Sequence, residues 1–316
     1  MKWADRVGRR VKFRDLHIVL AVAEAGSMTR AAEELAVSYP VVSKTISELE
    51  QTLGVKLFDR GIAGVQPTHY GRALLKSGAA VFDEMRKGLQ EIEFIRQPDA
   101  GELRIGSSIV TDAGLLPAVI ERFSREFPRA VVHVLSENIA VQRYDNLRDR
   151  KVELVFGRLP ATMTESDLIA ETLFDEPNVV VAGSESPWAK RRNLTLADLI
   201  REPWVLAQPG SLARSLHDET FRNSGLEPPS ASVLTVSLQL YVRLIETGRW
   251  LGLVPASVMR FGGERMHLKV LPVRTISPPA PVGFITLKDR TLTPLAERFI
   301  ECVRKVAGSE KYRTST

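Results

Sequence analysis

One helical period runs unbroken from Tyr70 to about Arg96, and the sequence follows a different pattern on each side of it. Before this segment the apolar residues recur at helical spacing. After it, short apolar strands alternate with helical stretches. The run 97–101 ends the helix, since Pro and Gly interrupt helical segments. We therefore predict an all-α N-terminal part, a long linker helix and an α/β C-terminal part.

The N-terminal part is predicted to contain three helices and a short hairpin. The first helix ends at Gly26, and the second covers about 28–35. The third covers about 39–53 and is followed by Gly54, a typical residue after a helix C-terminus. Two short apolar runs within 55–66 then flank a pair of glycines, which predicts a hairpin, or wing.

The second and third predicted helices have the features of a helix-turn-helix. Ala31 and Ala32 are small enough to let another helix approach closely. Ser38 is placed to cap the third helix, and Pro40 lies in its first turn, where a missing N–H is tolerated. An ordinary three-helix packing unit is the alternative, because short turns join many helix pairs.

The third predicted helix has one apolar stripe and one polar face. The stripe consists of Val42, Ile46, Leu49 and Leu53. The opposite face consists of Tyr39, Ser43, Lys44 and Ser47. A recognition helix contacts base edges in the major groove with its N-terminal residues, so this face predicts DNA binding.

The C-terminal part alternates strands with helices, which implies mainly parallel sheet with helices on both faces. Its length favours two lobes, lobe I at about 101–175 and 276–308 and lobe II at about 176–275. The predicted strands and helices are residues 103–105, 116–127, 131–135, 140–150, 154–156, 179–181, 204–206, 212–224, 233–234, 238–247, 252–254, 282–286 and 295–306.

Polar residues follow several of these strands. Helix N-termini at such junctions offer free N–H groups to anions, and clefts between lobes are common ligand sites. Ordinary caps and turn residues are the alternative for each position. The candidate ligand-binding residues are Ser107, Ser108, Thr111, Gln208, Ser211 and Ser237.

The linker helix carries an apolar stripe with steps of three and four residues, as in a coiled coil. Its residues are Leu75, Gly78, Phe82, Met85, Leu89 and Ile92. The stripe predicts dimerisation through this helix. Packing of the helix onto its own domain is the alternative.

Residues 13–71 closely resemble the LysR-type transcription regulators. The resemblance rests on the runs GSMTRAAEEL at 26–35 and VSYPVVSK at 37–44, and on the Leu57-Phe58 pair. Tyr39 stands where the family usually has Gln, and Ala140 where members often have Thr. The run PTHYGRALL at 67–75 departs from the usual Leu-Thr-x-Ala-Gly and resembles the branch of regulators of aromatic-acid catabolism and sugar uptake.

The resemblance implies a homodimer formed through the long helix, often assembled into a homotetramer. It implies binding to a pseudo-palindromic site in double-stranded promoter DNA, with the wing near the minor groove. It also implies a periplasmic-binding-protein-like domain whose cleft holds a small effector, such as an organic acid or a sugar, and RNA polymerase as a further partner.

The implied domains are a winged helix-turn-helix at 1–68, a linker helix at 69–98 and an effector-binding domain at 101–308. The DNA-binding candidates are Ser27, Thr29, Arg30, Ser38, Tyr39, Pro40, Ser43, Lys44, Ser47 and Arg60. The dimerisation candidates are Leu75, Phe82, Met85, Leu89 and Ile92.

Other features argue against a secreted protein, a metal site and an enzyme. Cys302 is the single cysteine, so no intramolecular disulfide is possible, which fits a reducing cytoplasm. The net charge of +5 and the basic N-terminus permit an anionic partner, although a solvated tail is the alternative. His217, beside Asp218, is interpreted as part of a surface face. We expect no metal, no cofactor, no membrane segment and no catalytic activity.

Two other classes of function remain as alternatives. A two-lobed solute-binding domain or small α/β enzyme with an accessory helical domain should carry a signal peptide or a catalytic motif, and the sequence has neither. An architectural DNA-binding protein without a ligand has no need of the long α/β part.

Overall fold

The computed structural model describes residues 10–61, 64–136, 144–160, 163–262, 266–276, 278 and 280–308. The chain forms two compact units, Met1–Leu89 and Gln90–Thr316. The basic residues before Arg10 and the position Ala140, for which predictions were made, lie outside the described residues.

The first unit begins with three helices whose ends have local causes. They are α1 (Phe13–Ala25), α2 (Met28–Glu34) and α3 (Tyr39–Leu53). Gly26 and Gly54 adopt the left-handed conformation after α1 and α3. The Ser27 hydroxyl accepts the N–H of Arg30 and so caps α2. Ser38 occupies the N-cap position of α3, but its side chain makes no capping hydrogen bond, contrary to the prediction.

The predicted hairpin is present but begins later than expected. Its strands are β1 (Phe58–Gly61) and β2 (Gly64–Pro67), paired antiparallel. The carboxylate of Glu50 on α3 accepts the N–H groups of Leu57 at 2.8 Å and Phe58 at 3.3 Å. Residues 55–57 are therefore tied to α3 and do not join the hairpin.

The long helix α4 (His69–Arg96) has the predicted length, but its apolar stripe has two different environments. Leu75 packs against the core of the first unit. The ring centroid of Phe82 lies 4.0 Å from that of Phe13 on α1. Leu75 and Phe82, both predicted to lie at a dimer seam, thus pack within their own unit. Farther along the helix, Leu89 is 61% exposed.

The second unit contains two five-stranded sheets. Its strands are β3 (Ala100–Ser107), β4 (Arg129–Ser136), β5 (Leu154–Arg158), β6 (Leu168–Asp175), β7 (Asn178–Gly183), β8 (Trp204–Leu206), β9 (Ala231–Leu234), β10 (Leu251–Pro255), β11 (Leu268–Val270) and β12 (Pro281–Leu287). The first sheet has the order β4-β3-β5-β12-β6, and the second has the order β11-β7-β10-β8-β9.

The sheets are mixed, so the prediction of mainly parallel sheet is wrong. In the first sheet β3 pairs parallel with β4 and β5, but β12 pairs antiparallel with β5 and β6. In the second, β8 pairs parallel with β9 and β10, but β7 pairs antiparallel with β10 and β11. Strands β7 and β12 enter their sheets without a crossover helix before them, so nothing forces a parallel arrangement.

Helices pack on both sheets. They are α5 (Ile109–Ala113), α6 (Leu115–Glu126), α7 (Asp145–Arg148), α8 (Leu212–Asn223), α9 (Leu238–Glu246), α10 (Ala256–Gly262) and α11 (Pro294–Ala307). Phe123 on α6 meets Phe299 on α11 edge to face over the first sheet. In the second sheet, Trp204 meets Phe221 of α8 in the same way. Within the described ranges, no helix is long and apolar enough to cross a membrane.

Candidate functional site

The predicted polar face of α3 is exposed. Val42 and Ile46 are fully buried, whereas Tyr39 on the other side is 46% exposed. Lys44 is exposed, and its Nζ lies 3.8 Å from an exposed Glu48 carboxylate, a weak contact in water. Of the four predicted face residues, Tyr39, Lys44 and Ser47 are exposed, and Ser43 is half-buried.

The candidates on α2 and the hairpin lie near one another. Thr29 and Arg30 are exposed in the first turn of α2, and Arg60 is exposed on β1. The backbone N–H of Val65 on β2 donates to the carbonyl of Gly26, just before α2, at 2.9 Å. This bond holds the hairpin against the start of α2, so the guanidinium groups of Arg30 and Arg60 belong to connected elements of one small unit.

Glu50 and Thr68 attach the hairpin to the helices on either side. The Thr68 hydroxyl donates to the Lys56 carbonyl at 2.7 Å and accepts the N–H of Gly71 at 3.0 Å. Burial acts to raise the pKa of Glu50, but the hydrogen bonds from Lys56 and from two backbone N–H groups outweigh burial and lower it. Exposed amines, hydroxyls and helix N-termini on this rigid unit can contact phosphates and base edges.

Three of the six ligand candidates in the second unit are helix caps. Ser108 accepts the N–H of Thr111 at the start of α5. Ser211 accepts the N–H of Arg214 at the start of α8, and Ser237 caps α9. Capping, the alternative considered for each residue, therefore accounts for these three hydroxyls individually.

The six candidates fall into two groups at the carboxyl ends of parallel strands. In the first sheet, Ser107 is the last residue of β3, and Ser108 and Thr111 come after it. Gln208 and Ser211 follow β8, and Ser237 follows the neighbouring β9 in the second sheet. The Asp112 carboxyl lies in the first group, where burial raises its pKa and the Ser107 hydroxyl offsets part of that effect.

A buried polar cluster between the two sheets was missed by the sequence analysis. Arg158 ends β5 and is 8% exposed, and its Nη2 donates to Oδ1 of Asn178 at 2.9 Å. Glu176, also buried, accepts the N–H of Ser257 at 2.8 Å. A charged residue, Arg158, two positions after the apolar strand 154–156 was the sequence signal for this cluster.

His217 on α8 belongs to the same cluster. The sequence analysis placed it on the surface, and that interpretation is wrong. It is 5% exposed and hydrogen-bonds the backbone of Leu253. Burial, followed by the charges of Arg158 and Arg214, lowers the pKa of His217 to about 3, so its imidazole is neutral at physiological pH. The helix at 212–224 was predicted correctly, but its periodicity alone does not show which of its faces is packed against the rest of the domain.

The comparison with known families decides the identity. Residues 13–72 match "Bacterial regulatory helix-turn-helix protein, lysR family", and residues 96–308 match "LysR substrate binding domain". The chain belongs to the LysR family. It is a DNA-binding transcription regulator with a helix-turn-helix and an effector-binding domain, in a family of regulators and not of enzymes.

Individual relatives of this LysR regulator span nearly its whole length. It is 28% identical to the uncharacterized HTH-type transcriptional regulator YdcI of Escherichia coli over 94% of this chain and 96% of that one. It is 26% identical to the HTH-type transcriptional regulator GbpR of Azospirillum brasilense over 96% and 89%.

Solved structures share the fold of the regulator. A full-length OxyR variant from Pseudomonas aeruginosa matches with a TM-score of 0.69 at 21% identity, covering 97% of this chain and 98% of that one. Full-length CbnR complexed with its target DNA matches with a TM-score of 0.65 at 23% identity, covering 94% and 100%. The winged helix-turn-helix and the two-lobed α/β part expected from the sequence are thus confirmed.

Proposed function

We propose that the exposed face of α3 reads promoter DNA at a pseudo-palindromic site. The observation that supports this most is that Tyr39 and Lys44 stand exposed in the first half of the helix while Val42 and Ile46 are fully buried on the other side. The N-terminal residues of a recognition helix are those that reach base edges. Tyr39 replaces the usual Gln of the family, so an aromatic ring and a hydroxyl take the place of an amide at this contact.

The remaining DNA candidates are assigned to the phosphates. Arg30 and Arg60 carry exposed guanidinium groups on α2 and the wing. Ser38 makes no capping bond, so its hydroxyl and the first-turn N–H groups of α3 are available to a phosphate oxygen. Contacts of this kind position the protein without reading sequence.

The proposal is tested by fluorescence anisotropy with a promoter fragment at several salt concentrations. Loss of a base contact in Ser43→Ala or Lys44→Ala weakens specific binding by about 1–3 kcal/mol. A lost phosphate contact weakens binding to every sequence and lowers the salt slope by about one. Gln51→Ala, exposed in the last turn of the same helix, is the matched control. Wild-type affinity in both test variants contradicts the assignment.

We infer that the regulator is a homodimer, or a homotetramer built from such dimers, and that the dimer forms through the second half of α4. Met85, Leu89 and Ile92 are each more than half exposed, which supports an apolar seam for a second copy. The earlier part of the stripe is already covered within its own unit. The boundaries at 68 and 98 stay predictions, as does the branch with aromatic-catabolism and sugar-uptake regulators.

We propose further that a small organic acid or sugar binds between the two sheets of the effector-binding domain. Support comes from the two groups of hydroxyl and amide side chains at the strand ends, around Ser108 and Ser211, each beside a helix N-terminus. The ligand shifts the arrangement of the two lobes only as far as its affinity for the two arrangements differs. We expect RNA polymerase as the further partner and the cytoplasm, where the chromosome is, as the location.

A further inference from the structure

The carboxyl ends of the parallel strands bring a buried arginine and a buried histidine together. Ser107 on β3 pairs with Phe156 on β5. Arg158 comes two residues after Phe156 on the same strand, so its side chain lies on the same face of the first sheet as that of Phe156. His217 lies on α8 of the second sheet and bonds the backbone of Leu253 on β10. Asn178, which accepts a hydrogen bond from Arg158, pairs with Pro255 on β10, two residues along that strand from Leu253, so the two side chains belong to one cluster. In keeping with this, the charge of Arg158 contributes to the low pKa of His217.

Two nitrogens of this pair are unused. Among the described residues, Nε of Arg158 and Nδ1 of His217 are buried without a hydrogen-bond partner. A buried polar nitrogen without a hydrogen-bond partner is costly and calls for an explanation. Nε of Arg158 is a donor, whereas Nδ1 of neutral His217, whose other ring nitrogen donates to the Leu253 backbone, is an acceptor and becomes a donor only when the ring is protonated. The remaining contacts of Arg158 are neutral oxygens, the Asn178 amide and the Glu176 backbone carbonyl. Among the residues that the structure describes, no carboxylate is therefore in direct contact with the positively charged guanidinium of Arg158.

The nearby carboxylates already have other partners. Glu176 accepts the N–H of Ser257, and Asp218 pairs with Arg214 at 2.7 Å. Tyr241 on α9, another ionisable group here, exchanges hydrogen bonds with Leu253, and burial raises its pKa. With His217 neutral, the two arginines and two carboxylates sum to zero charge. An added anion would leave one negative charge, which a proton on the imidazole would cancel.

We propose that Arg158 and His217 form a subsite for the carboxylate of an organic-acid effector, and that this carboxylate binds together with one proton taken up by His217. Arg158 donates from Nε to the carboxylate, and the protonated imidazole donates from Nδ1. This deepens the proposed effector function by naming the ligand class as an organic acid and not a sugar. The hydroxyls around Ser108 and Ser211 then contact the rest of the molecule.

The test uses formate, the smallest carboxylate, and formamide, its uncharged counterpart, with the full-length protein. Isothermal titration calorimetry in two buffers of different ionisation enthalpy measures the dissociation constant and the number of protons taken up. We expect formate to bind in the millimolar range with uptake close to one proton, and formamide not to bind. The formate Kd should rise about tenfold per pH unit between the pKa of His217 in the free protein, about 3, and its higher pKa in the complex, and should level off above the latter.

Two variants keep the fold while removing one donor each. Arg158→Lys retains the charge but lacks Nε, and the formate Kd should rise about tenfold or more. His217→Gln retains a donor for the Leu253 backbone, and proton uptake should vanish. His133→Gln, at a half-exposed histidine on β4, should behave as wild type.

Absence of formate binding, equal binding of formate and formamide, or binding without proton uptake would overturn the subsite. Promoter binding is measured on the same samples by anisotropy. If an organic acid or a sugar changes promoter binding while formate fails to bind, the effector function stands and only this subsite is wrong. If no organic acid or sugar changes promoter binding either, the proposed effector function itself fails.

Discussion

Replacement of Glu50 tests how the wing is attached to the recognition helix. Its carboxylate is 6% exposed and accepts the N–H groups of Leu57 at 2.8 Å and Phe58 at 3.3 Å, and the Lys56 ammonium at 2.7 Å. Glu50→Ala leaves two backbone donors without that acceptor, and an unsatisfied buried group costs about 1–3 kcal/mol. A local loss of about 2 kcal/mol corresponds to about 30-fold faster amide exchange.

The assay is hydrogen–deuterium exchange of peptides covering Leu57 and Phe58 in the full-length protein. Glu50→Gln keeps one oxygen as an acceptor and should lose less protection than Glu50→Ala. Glu48→Gln, an exposed carboxylate on the same helix, should leave the exchange rates unchanged. Promoter affinity should fall in Glu50→Ala, because the wing is no longer held at one position.

The pKa of Glu50 gives the same prediction a pH dependence. Its folded-state pKa is lowered, so the stabilisation is complete at neutral pH and is lost as the pH falls through the lowered pKa. The difference between wild type and Glu50→Ala should therefore disappear in acid. Equal exchange of the two amides in both proteins at neutral pH would refute this account of the wing.

Four further substitutions separate assembly, capping and packing. Leu89→Asp should dissociate the oligomer in sedimentation, since it places a charge in an apolar seam. Phe82→Asp should instead lower the melting temperature, because it removes the ring that packs against Phe13 on α1. An intact oligomer in Leu89→Asp contradicts the seam. Ser211→Ala should cost about 1 kcal/mol as a lost cap and should also raise the inducer concentration for half response in a reporter assay. An unchanged half response leaves Ser211 as a cap only. Gly71→Ala should destabilise by about 3 kcal/mol in urea unfolding, because a Cβ there lies 2.1 Å from the Leu57 carbonyl oxygen. Wild-type stability in that variant contradicts the close approach.

Sequence reasoning worked best where structure is set by near neighbours. The bounds of α3, the left-handed Gly54 after it and the buried stripe of Val42 and Ile46 follow from spacing and from one residue type at a helix end. It failed at Ser38, where the right residue occupies the cap position but its hydroxyl makes no bond to the helix. Position along the chain predicts which residue can cap, and side-chain torsion decides whether it does.

The linker helix shows the same division. Its length and heptad steps were readable, but Phe82 and Leu89 look alike in a sequence. One is covered by Phe13 from the same unit, and the other is 61% exposed. A periodic pattern shows that a face is apolar without showing what covers it.

The family, the helix-turn-helix and the order of most helices and strands could be predicted from the residues alone, because short periods and turn residues act over a few positions. The three-dimensional fold was needed to show that β7 and β12 run antiparallel to their neighbours, since strand pairing depends on how the chain crosses between two sheets. It also decided that His217 is buried beside Arg158. These two residues are far apart in the chain, and no local pattern records that two sheets bring their strand ends together.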